Sequence, residues 1–360
     1  MSDALRFVIM AGGTGGHVFP ALAVAHELRR RGHEVVWMGA PDSFEARTVP
    51  PQGYPLELVQ VGGLRGKGTW TLIGAPLRLL RAVWQAWRIL SRRRPHAVLG
   101  MGGFAAGPGG LAAWLRRTPL VIHEQNAAPG LTNRLLSKLA RRVLEAFPGT
   151  FVGATTVGNP VRDGFAELPS PSRRMVERAS APPTVLVLGG SQGARALNER
   201  MPQALALMPP QSRPQVCHQA GRTLELAQRA YADCAVQAQI EAFIHDMPAA
   251  YAAADLVVCR AGASTVAELS AAGCAALLVP FPFAVDDHQT RNGEHLVQAC
   301  AARLIAEAEL SAQRLCDELT DLLSDRIRLI EMAERARTTA WADATDTIAD
   351  VCVDVAGARS

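Results

Sequence analysis

The chain has 360 residues, about two domains' worth at ~150 residues per domain, and 49% of them are hydrophobic while 19% are charged. This composition supports buried cores and excludes a disordered chain. The seven cysteines lie scattered in the second half, with neither a C-x-x-C pair nor zinc-ligand spacing, which excludes a disulfide-stapled secreted scaffold. No apolar run reaches the ~18 residues of a membrane-spanning helix, and the run at 7–11 is too short for a signal peptide. We therefore expect a cytoplasmic protein.

Apolar runs alternate with segments of helical length along the whole chain. In the first half, strands are predicted at 5–10, 34–38, 97–100 and 119–123, and helices at 17–31 and 76–93. In the second half, strands are predicted at 184–188, 215–218, 240–244, 256–259 and 276–280, and helices at 194–208, 265–272 and 287–301. The alanine-rich tail, 323–355, is predicted to be helical and amphipathic.

This alternation indicates parallel sheets with helices on both faces. Each half opens with an apolar strand that runs into glycines, so we predict an α/β chain of two Rossmann-like, doubly wound domains. The boundary is expected near Gly158-Asn159-Pro160, which gives domains at 1–160 and 161–339. A stretch without predicted structure, 169–183, precedes the first strand of the second domain.

Charge is unevenly divided between the halves. Residues 1–160 carry 19 Lys and Arg against 8 Asp and Glu, and no acidic residue occurs between Glu57 and Glu124. A basic half of this kind favours a polyanionic partner, such as nucleic acid, an anionic membrane or phosphates. A solvated basic face without a partner is the alternative.

Three glycine-rich turns follow predicted strands, at 12–17, 100–103 and 189–193. Glycine lets the backbone approach a ligand, and the helix that follows presents free N–H groups to a phosphate. A tight turn without a ligand is the alternative for any one of them. Val18 stands where a dinucleotide fingerprint needs its third glycine, and no P-loop sequence occurs, so both of those nucleotide sites are excluded.

Polar clusters follow three other strands. The segment 260–268 opens a helix, and Glu268 offers a bidentate acceptor for a ribose diol; a simple helix cap by Ser264 or Thr265 is the alternative. In the segment 286–292, Gln289 and Asn292 share a helix face and suit sugar hydroxyls, or are merely solvated. The segment 123–126, HEQN, lies at the carboxyl end of a parallel strand, where ligands bind in open α/β sheets.

The ordered set of motifs is similar to one family. It comprises GGTGGH (12–17), GG (102–103), HEQN (123–126), GLTN (130–133), GNPVR (158–162), GGSQG (189–193), R-x-GA-x-T-x-x-E (260–268) and DHQ-x-x-N (287–292). In this order they resemble the MurG family of bacterial glycosyltransferases, glycosyltransferase family 28, over nine-tenths of the chain. Members transfer N-acetylglucosamine from UDP-N-acetylglucosamine to undecaprenyl-pyrophosphoryl-N-acetylmuramoyl-pentapeptide, which is lipid I.

The resemblance implies a GT-B fold, with two Rossmann-like domains facing across a cleft and a C-terminal helix, about 340–357, packed back on the first. It implies an inverting, β-1,4-forming transfer without cofactor or bound metal, which yields lipid II for peptidoglycan synthesis. The first domain would face the acceptor and the membrane, and the second would bind the UDP-sugar.

The resemblance also implies roles for individual residues. The backbone at Ile244 would bind uracil, Glu268 the ribose, and Ser191 with Arg162 the diphosphate. Gln289 and Asn292 would contact the sugar. Further residues expected to line the donor pocket are Ala263, Ser264, Thr265, Val266 and Ala267. Residues expected to reach donor or acceptor from the first domain are Thr14, Gly15, Gly16 and Asn126.

An inverting transfer needs a base for the acceptor hydroxyl. His17 is the first candidate, because a histidine at a helix N-terminus tends to stay neutral. Binding of the acceptor's pyrophosphate is its competing role. Glu124 and His123 are the other candidates for the base.

One apolar stripe at helical spacing is relevant to binding of a lipid acceptor. Ile73, Leu77, Leu80, Trp84 and Trp87 recur at helical spacing beside arginines, which suits an interfacial helix; a core-facing stripe is the alternative. The resemblance favours docking of the basic region, about 65–117, on an anionic membrane, at the cytoplasmic face of the cell (inner) membrane.

Three rival functions remain. A GT-B enzyme acting on another lipid, such as diacylglycerol, fits less well with HEQN and DHQ-x-x-N. A hydrolysing UDP-sugar epimerase would need acidic residues in the cleft, where Glu124 is the single candidate from the first domain. A nucleic-acid-binding module leaves the glycine turns unexplained, so no nucleic-acid partner is expected.

Overall fold

In the computed structural model, which describes residues 4–61 and 75–358, the chain forms two compact units. One unit holds the described residues up to Arg162 together with those from Trp341 onward. The other unit runs from Asp163 to Ala340. The chain therefore passes between the units twice.

Each unit is built on one sheet, and every pairing between described strands is parallel. The first sheet has the order β3-β2-β1-β4-β5-β6-β7, and the second has the order β10-β9-β8-β11-β12-β13. The strands are β1 (Arg6–Met10), β2 (Glu34–Gly39), β3 (Leu56–Leu58), β4 (Ala97–Gly100), β5 (Leu120–Glu124), β6 (Arg142–Glu145), β7 (Thr155–Thr156), β8 (Thr184–Leu188), β9 (Gln215–Gln219), β10 (Gln239–Glu241), β11 (Leu256–Cys259), β12 (Ala276–Leu278) and β13 (Ala302–Leu304).

Helices connect these strands. They are α1 (Gly15–Arg30), α2 (Phe44–Thr48), α3 (Ala75–Arg93), α4 (Ala106–Leu115), α5 (Leu131–Leu136), α6 (Pro171–Glu177), α7 (Arg195–Leu207), α8 (Leu224–Asp233), α9 (Met247–Ala253), α10 (Ala263–Ala272), α11 (His288–Gln298), α12 (Ala312–Leu323), α13 (Arg326–Thr338) and α14 (Ala344–Gly357). Short 3-10 turns occur at Pro50–Gln52, Pro210–Ser212, Gly221–Thr223, Val285–Asp287 and Glu307–Glu309.

Alternation along β1 shows why helices cover both faces of the first sheet. Phe7 and Ile9 pack into one core with α1 and α14. Val8 and Met10 pack into the opposite core with α3, α4 and α5. Successive side chains of a strand point to opposite faces, so a continuously apolar strand needs a helical layer on each side.

The α/β prediction of two doubly wound parallel sheets is confirmed, and the strand order fixes where ligands gather. In the first sheet β1 lies between β2 and β4, and in the second β8 lies between β9 and β11. The strand order reverses at these points, and the loops that leave the carboxyl ends there open a crevice for ligands. The loops after β1, β4, β8 and β11 are the ones already singled out by sequence.

Three predicted elements differ from the structure. The strand expected at 240–244 is Gln239–Glu241, so Ile244 lies in the following loop. The stretch 169–183 contains α6, whose first turn begins with Pro171 and is capped by the Ser170 hydroxyl. The tail is two helices, not one. Its break places Trp341 against Gly158, where a Cβ on that glycine would overlap the indole.

Candidate functional site

The first glycine loop, 12–17, joins β1 to α1 and packs against the loop that follows β4. A Cβ on Gly103 would lie 2.6 Å from the carbonyl oxygen of Gly12, and Gly103 has a φ of +90°. Both constraints require glycine, because an L side chain fits neither the space nor the backbone angle. The two loops thus form one rigid edge at the reversal of strand order in the first sheet.

The predicted ligand-binding residues of this loop are accessible. Thr14 is the N-cap of α1 with extended backbone, yet its side chain makes no capping bond and is exposed. Gly15 is half-buried and Gly16 is exposed. The first turn of α1 therefore presents Thr14 and backbone to solvent at the position where parallel α/β sheets bind anions.

Glu45 supports the loop from below and was missed by the sequence analysis. Its buried carboxylate accepts hydrogen bonds from the backbone N–H of Gly13, at 3.1 Å, and of Ala40, at 3.0 Å. A Cβ on Gly12 would overlap this carboxylate. The one sequence signal for this role was the position of Glu45 shortly after β2, because an acidic residue there lies close to the glycine loop that follows β1.

His17 lies in the first turn of α1, half-buried, with its ring against Gly102. Its Nδ1 is 2.9 Å from Oε1 of Gln125, and Nε2 has no hydrogen-bond partner among the described residues. One ring nitrogen is thus held by the protein and the other is left for a ligand. This arrangement suits a base or an anion-binding group, the two roles predicted for His17.

Glu124, the second predicted catalytic residue, is only 2% exposed at the end of β5. One carboxylate oxygen accepts from the backbone N–H of Asn126, at 3.0 Å, and from its side-chain amide, at 3.2 Å. The other accepts from the N–H of Gly130, at 3.2 Å, and from Asn133 Nδ2, at 2.9 Å. Four donors therefore occupy the carboxylate, which argues against its prediction as the base and gives it the role of holding the loop 125–133.

His123 is fully buried, and its Nε2 donates to the carbonyl oxygen of Gly158 at 2.8 Å. Burial lowers the pKa of His123 to about 4, because the charged imidazolium cannot be solvated there. It therefore ties β5 to the segment at 158 as a neutral group, and it does not reach the surface where an acceptor would bind.

Two further predicted residues of this unit lie at the same edge. Asn126 is half-buried directly after β5, with its amide directed to Glu124. The Arg162 guanidinium lies 5.2 Å from the ring centroid of Phe19 on α1, a cation–π contact. Arg162 thus contacts α1 at Phe19, two residues after His17 on the same helix.

The second glycine loop, 189–193, joins β8 to α7 and packs on the turn after β9. Gly193 has a φ of +81°, and a Cβ there would lie 2.1 Å from the Thr223 hydroxyl. Ser191, predicted to bind the diphosphate, is exposed at the tip of the loop. The loop therefore presents a hydroxyl and backbone to solvent just before a 13-residue helix.

A buried polar chain that the sequence analysis missed supports this loop. Asn198 donates from Nδ2 to the Thr223 hydroxyl at 2.7 Å and accepts through Oδ1 from His218 Nε2 at 3.0 Å. The Tyr231 hydroxyl donates to His218 Nδ1 at 3.0 Å. Burial lowers the pKa of His218 to about 4, so the ring stays neutral and bonded at both nitrogens.

Glu268, predicted to bind ribose, lies in α10 with its carboxylate largely buried. The buried Tyr251 hydroxyl donates to its Oε2 at 3.2 Å. Burial raises the pKa of Tyr251 well above its ordinary value, and the adjacent carboxylate acts in the same direction, so the phenol remains a donor. Tyr251 was not predicted, and it fixes the orientation of the carboxylate.

The residues before Glu268 divide by exposure. Gly262 is the N-cap of α10, so the alternative interpretation of a side-chain cap by Ser264 or Thr265 is wrong. Ser264, Thr265 and Ala267 are half-buried, whereas Ala263 and Val266 are buried. Among these predicted pocket residues, the half-buried Ser264, Thr265 and Ala267 have side chains that a ligand can reach. The side chain of Val266 packs in the core.

The predicted sugar-binding amides also divide. Gln289 is half-buried, and its Oε1 accepts from the N–H of Phe281 at 2.9 Å, which leaves its NH₂ group to face outward. Asn292 is fully buried and donates to the carbonyl oxygen of Ala261 at 3.2 Å. Contact of Asn292 with the sugar stays a prediction, and in this structure its amide holds the turn that leads into α10.

The adjacent pair Asp286-Asp287 precedes α11 in left-handed backbone, with φ of +54° and +50°. Asp287 caps no backbone N–H with its side chain and instead accepts from the Thr290 hydroxyl at 2.7 Å. In the parts of the chain that the structure describes, no group of three His, Cys, Asp or Glu side chains has the arrangement of a metal site.

Family models match both units. The glycosyltransferase family 28 N-terminal domain matches residues 7–145, and the family 28 C-terminal domain matches residues 184–348. The chain belongs to glycosyltransferase family 28. The first family 28 match includes His17 and Glu124, the second includes Ser191 and Glu268, and Arg162 lies between them.

Curated relatives in this family match over the full length. A protein of Marinobacter nauticus is 54% identical, with 99% of each chain covered, and one of Nitrosococcus oceani is 56% identical over 98% of this chain and 99% of its own. Both are named UDP-N-acetylglucosamine–N-acetylmuramyl-(pentapeptide) pyrophosphoryl-undecaprenol N-acetylglucosamine transferase. The crystal structure of Acinetobacter baumannii MurG is 41% identical, has a TM-score of 0.85, and covers 97% of this chain and 99% of its own. This family 28 chain is a glycosyltransferase with the GT-B fold.

Proposed function

We propose that this chain transfers N-acetylglucosamine from UDP-N-acetylglucosamine to undecaprenyl-pyrophosphoryl-N-acetylmuramoyl-pentapeptide, with inversion at the anomeric carbon. The assignment of the two substrates rests on the full-length identity of 54–56% to curated relatives whose names include these substrates. The geometry agrees, because each sheet ends in a glycine loop suited to phosphate, and one of these loops carries an accessible histidine. A transfer to another lipid, such as diacylglycerol, has no observation in its favour.

The reaction is a single displacement. The acceptor's C4 hydroxyl oxygen attacks the anomeric carbon, the bond from that carbon to the UDP oxygen breaks with its electron pair on UDP, and the hydroxyl proton goes to a base. Nε2 of His17 is the base that we assign, since it is the ring nitrogen that has no hydrogen-bond partner among the described residues. We prefer His17 to Glu124 and His123, because those two side chains are buried and hydrogen-bonded within the protein.

The second unit supplies the donor site in this proposal. Glu268, oriented by Tyr251, accepts from the two ribose hydroxyls, and the backbone of the Ile244 loop reads uracil. Ser191 and the backbone of 189–193 hold the diphosphate. Gln289 donates to the sugar through its free amide hydrogens, and Asn292 shapes the pocket indirectly.

The helix N-termini after the glycine loops stabilise departing UDP by too little to account for catalysis. A helix N-terminus stabilises a nearby anion by roughly 0.3–2 kcal/mol. Enzymes lower reaction barriers by at least about 8 kcal/mol. Stabilisation of departing UDP by helix dipoles is therefore a minor part, and positioning of the two substrates and proton removal by His17 must supply most of the rest.

The test of the proposed reaction is transfer of labelled sugar from UDP-N-acetylglucosamine to a short-chain muramoyl-pentapeptide pyrophosphoryl lipid. We expect labelled lipid-linked disaccharide and free UDP. In Glu268→Gln, the amide keeps a bond to Tyr251 but loses the charged ribose acceptor, so KM for the donor should rise about tenfold, as a charged hydrogen bond of about 1.5–3 kcal/mol requires. Product formed with diacylglycerol and not with the muramoyl lipid would overturn the acceptor assignment.

We also propose that α3 docks the protein on an anionic membrane at the cytoplasmic face of the cell membrane. The predicted stripe is not core: Leu77, Leu80 and Trp84 are exposed, Trp84 by 56%, and the opposite side of α3 fills the core. Ile73, Arg65 and Lys67 lie outside the described residues. None of the helices within 4–61 and 75–358 has the length and hydropathy to span a bilayer.

Arginines border the exposed stripe. The Arg88 guanidinium lies 4.9 Å from the Trp84 ring centroid, and that of Arg116 lies 5.0 Å from the Trp87 centroid. Tryptophan beside cationic groups suits the headgroup region of a bilayer. The exposed arginines of this region include Arg78, Arg81, Arg88 and Arg117. Each basic residue near an anionic surface contributes about 1 kcal/mol, so these four would give roughly 4 kcal/mol, enough for reversible binding.

Leu80→Ser/Trp84→Ser should weaken binding to vesicles containing phosphatidylglycerol by at least about tenfold, because two apolar side chains no longer enter the bilayer. Sedimentation with vesicles at low and high salt measures this effect. Ile327→Ser removes an equally exposed apolar side chain, 72% accessible, from the other unit and should leave binding unchanged. Equal binding of the double variant and the wild type would contradict docking through α3.

A further inference from the structure

Gln125 lies between His17 and the backbone of the loop after β4. Its Nε2 donates to the carbonyl oxygen of Met101 at 2.8 Å. A carbonyl oxygen only accepts, so this bond fixes which end of the amide is nitrogen and which is oxygen. The amide oxygen is therefore the atom that faces Nδ1 of His17, at 2.9 Å.

The direction of the second bond follows from the first. An amide oxygen has no hydrogen to donate, so the hydrogen between Oε1 and the ring must be on Nδ1. In neutral His17 the remaining lone pair is then on Nε2, the nitrogen without a partner among the described residues. We propose that Gln125 is a positioning residue that holds neutral His17 as the Nδ1–H tautomer and so makes Nε2 the basic atom.

The surroundings hold the Gln125 amide and the His17 ring in this arrangement. Gln125 is only 1% exposed, so water does not compete for its amide. Its backbone carbonyl oxygen accepts from Asn159 Nδ2 at 2.9 Å, which anchors the residue itself. A Cβ on Gly102 would lie 3.0 Å from ring atoms of His17, so the ring rests against this glycine and has little freedom to turn.

The choice of an amide has a chemical consequence. A carboxylate in this position, as in the Ser-His-Asp arrangement, both selects the tautomer and stabilises the imidazolium that forms. A neutral amide selects the tautomer without adding charge. The selection therefore acts through orientation. It rests on the proposed function, and it explains why Nε2 of His17 is the nitrogen that takes the acceptor proton.

The first test is spectroscopic and independent of activity. Long-range ¹H–¹⁵N spectra of the full chain with ¹⁵N-labelled histidine distinguish the two neutral tautomers. The spectra are recorded at about pH 8, because the ordinary histidine pKa is about 6.5. His17 is assigned as the signal lost in His17→Asn. We expect Nδ1–H for His17 and Nε2–H for His123, which donates from Nε2 to Gly158. An Nε2–H pattern for wild-type His17 would overturn the inference.

The second test links the tautomer to the rate. In Gln125→Leu we expect loss of the pure Nδ1–H pattern, a fall in kcat of about tenfold to thirtyfold, which is less than the 10²–10⁴-fold that a general base contributes, and a donor KM within about twofold. Gln125→Glu restores an acceptor for Nδ1–H, so it should restore the tautomer and part of kcat, and it serves if the leucine variant does not fold.

Failures of the two proposals are distinguishable. A changed tautomer in Gln125→Leu with unchanged kcat would overturn the positioning role. Full activity of His17→Ala would instead remove His17 as the base, whatever its tautomer. A Gln125→Leu variant that loses kcat but keeps the wild-type ¹⁵N pattern would mean that Gln125 acts through the backbone of Met101 and not through the histidine.

Discussion

His17→Ala is expected to lower kcat by about 10²–10⁴-fold, the usual contribution of a general base, while donor KM changes little. The reason is the geometry at the end of the first sheet: Nδ1 is held by Gln125, and Nε2 alone is left for the acceptor hydroxyl. The measurement is steady-state transfer with UDP-N-acetylglucosamine and the short-chain lipid each varied in turn.

The control is His26→Ala, on the same helix, where the ring packs edge-on against Tyr54 at 5.5 Å, away from the glycine loop. It should leave kcat and both KM values close to wild type. The competing role of His17, binding the acceptor's pyrophosphate, gives a different result: KM for the lipid rises and kcat is retained. That pattern would contradict His17 as the base and leave the reaction itself unaffected.

The general architecture was predictable because both units follow periodic rules. A strand such as β1, apolar from Phe7 to Met10, has to be covered on both faces, and its run into glycines marks a strand-to-helix turn. Four strands, β3, β6, β7 and β13, were not predicted; β7 has only two residues, and β6 begins with an arginine and ends with a glutamate. Their position is set by pairing with a neighbouring strand, which no local pattern encodes.

In the structure, His17 and Ser191 lie in the glycine-rich segments after β1 and β8, Glu124 ends β5, and Glu268 lies in α10, which follows β11. The roles predicted for these residues stay predictions. Whether a polar side chain faces solvent or interior depends on partners distant in sequence. Asn292 is buried because it bonds to Ala261, 31 residues earlier, and nothing in its own helix requires that.

Glu124→Ala is expected to lower the free energy of unfolding by about 3 kcal/mol, because it leaves several buried donors without an acceptor, each costing about 1–3 kcal/mol before relaxation. For a unit of this size that corresponds to a fall in Tm of about 10 °C. Differential scanning calorimetry measures it. Glu177→Ala, which removes a carboxylate 61% exposed and paired with Arg173, should change the free energy of unfolding by less than about 0.5 kcal/mol.

Glu124→Gln separates a structural role from a catalytic one. The amide keeps one acceptor oxygen but turns an NH₂ group toward donors that need an acceptor, whether Asn126 on one side or Gly130 and Asn133 on the other. Loss of stability should therefore accompany any loss of activity, with the loop 125–133 loosened and Gln125 displaced from His17. If Glu124 were the base, the glutamine variant would keep its Tm and lose kcat. Stability and rate falling together is the outcome that the four hydrogen bonds predict.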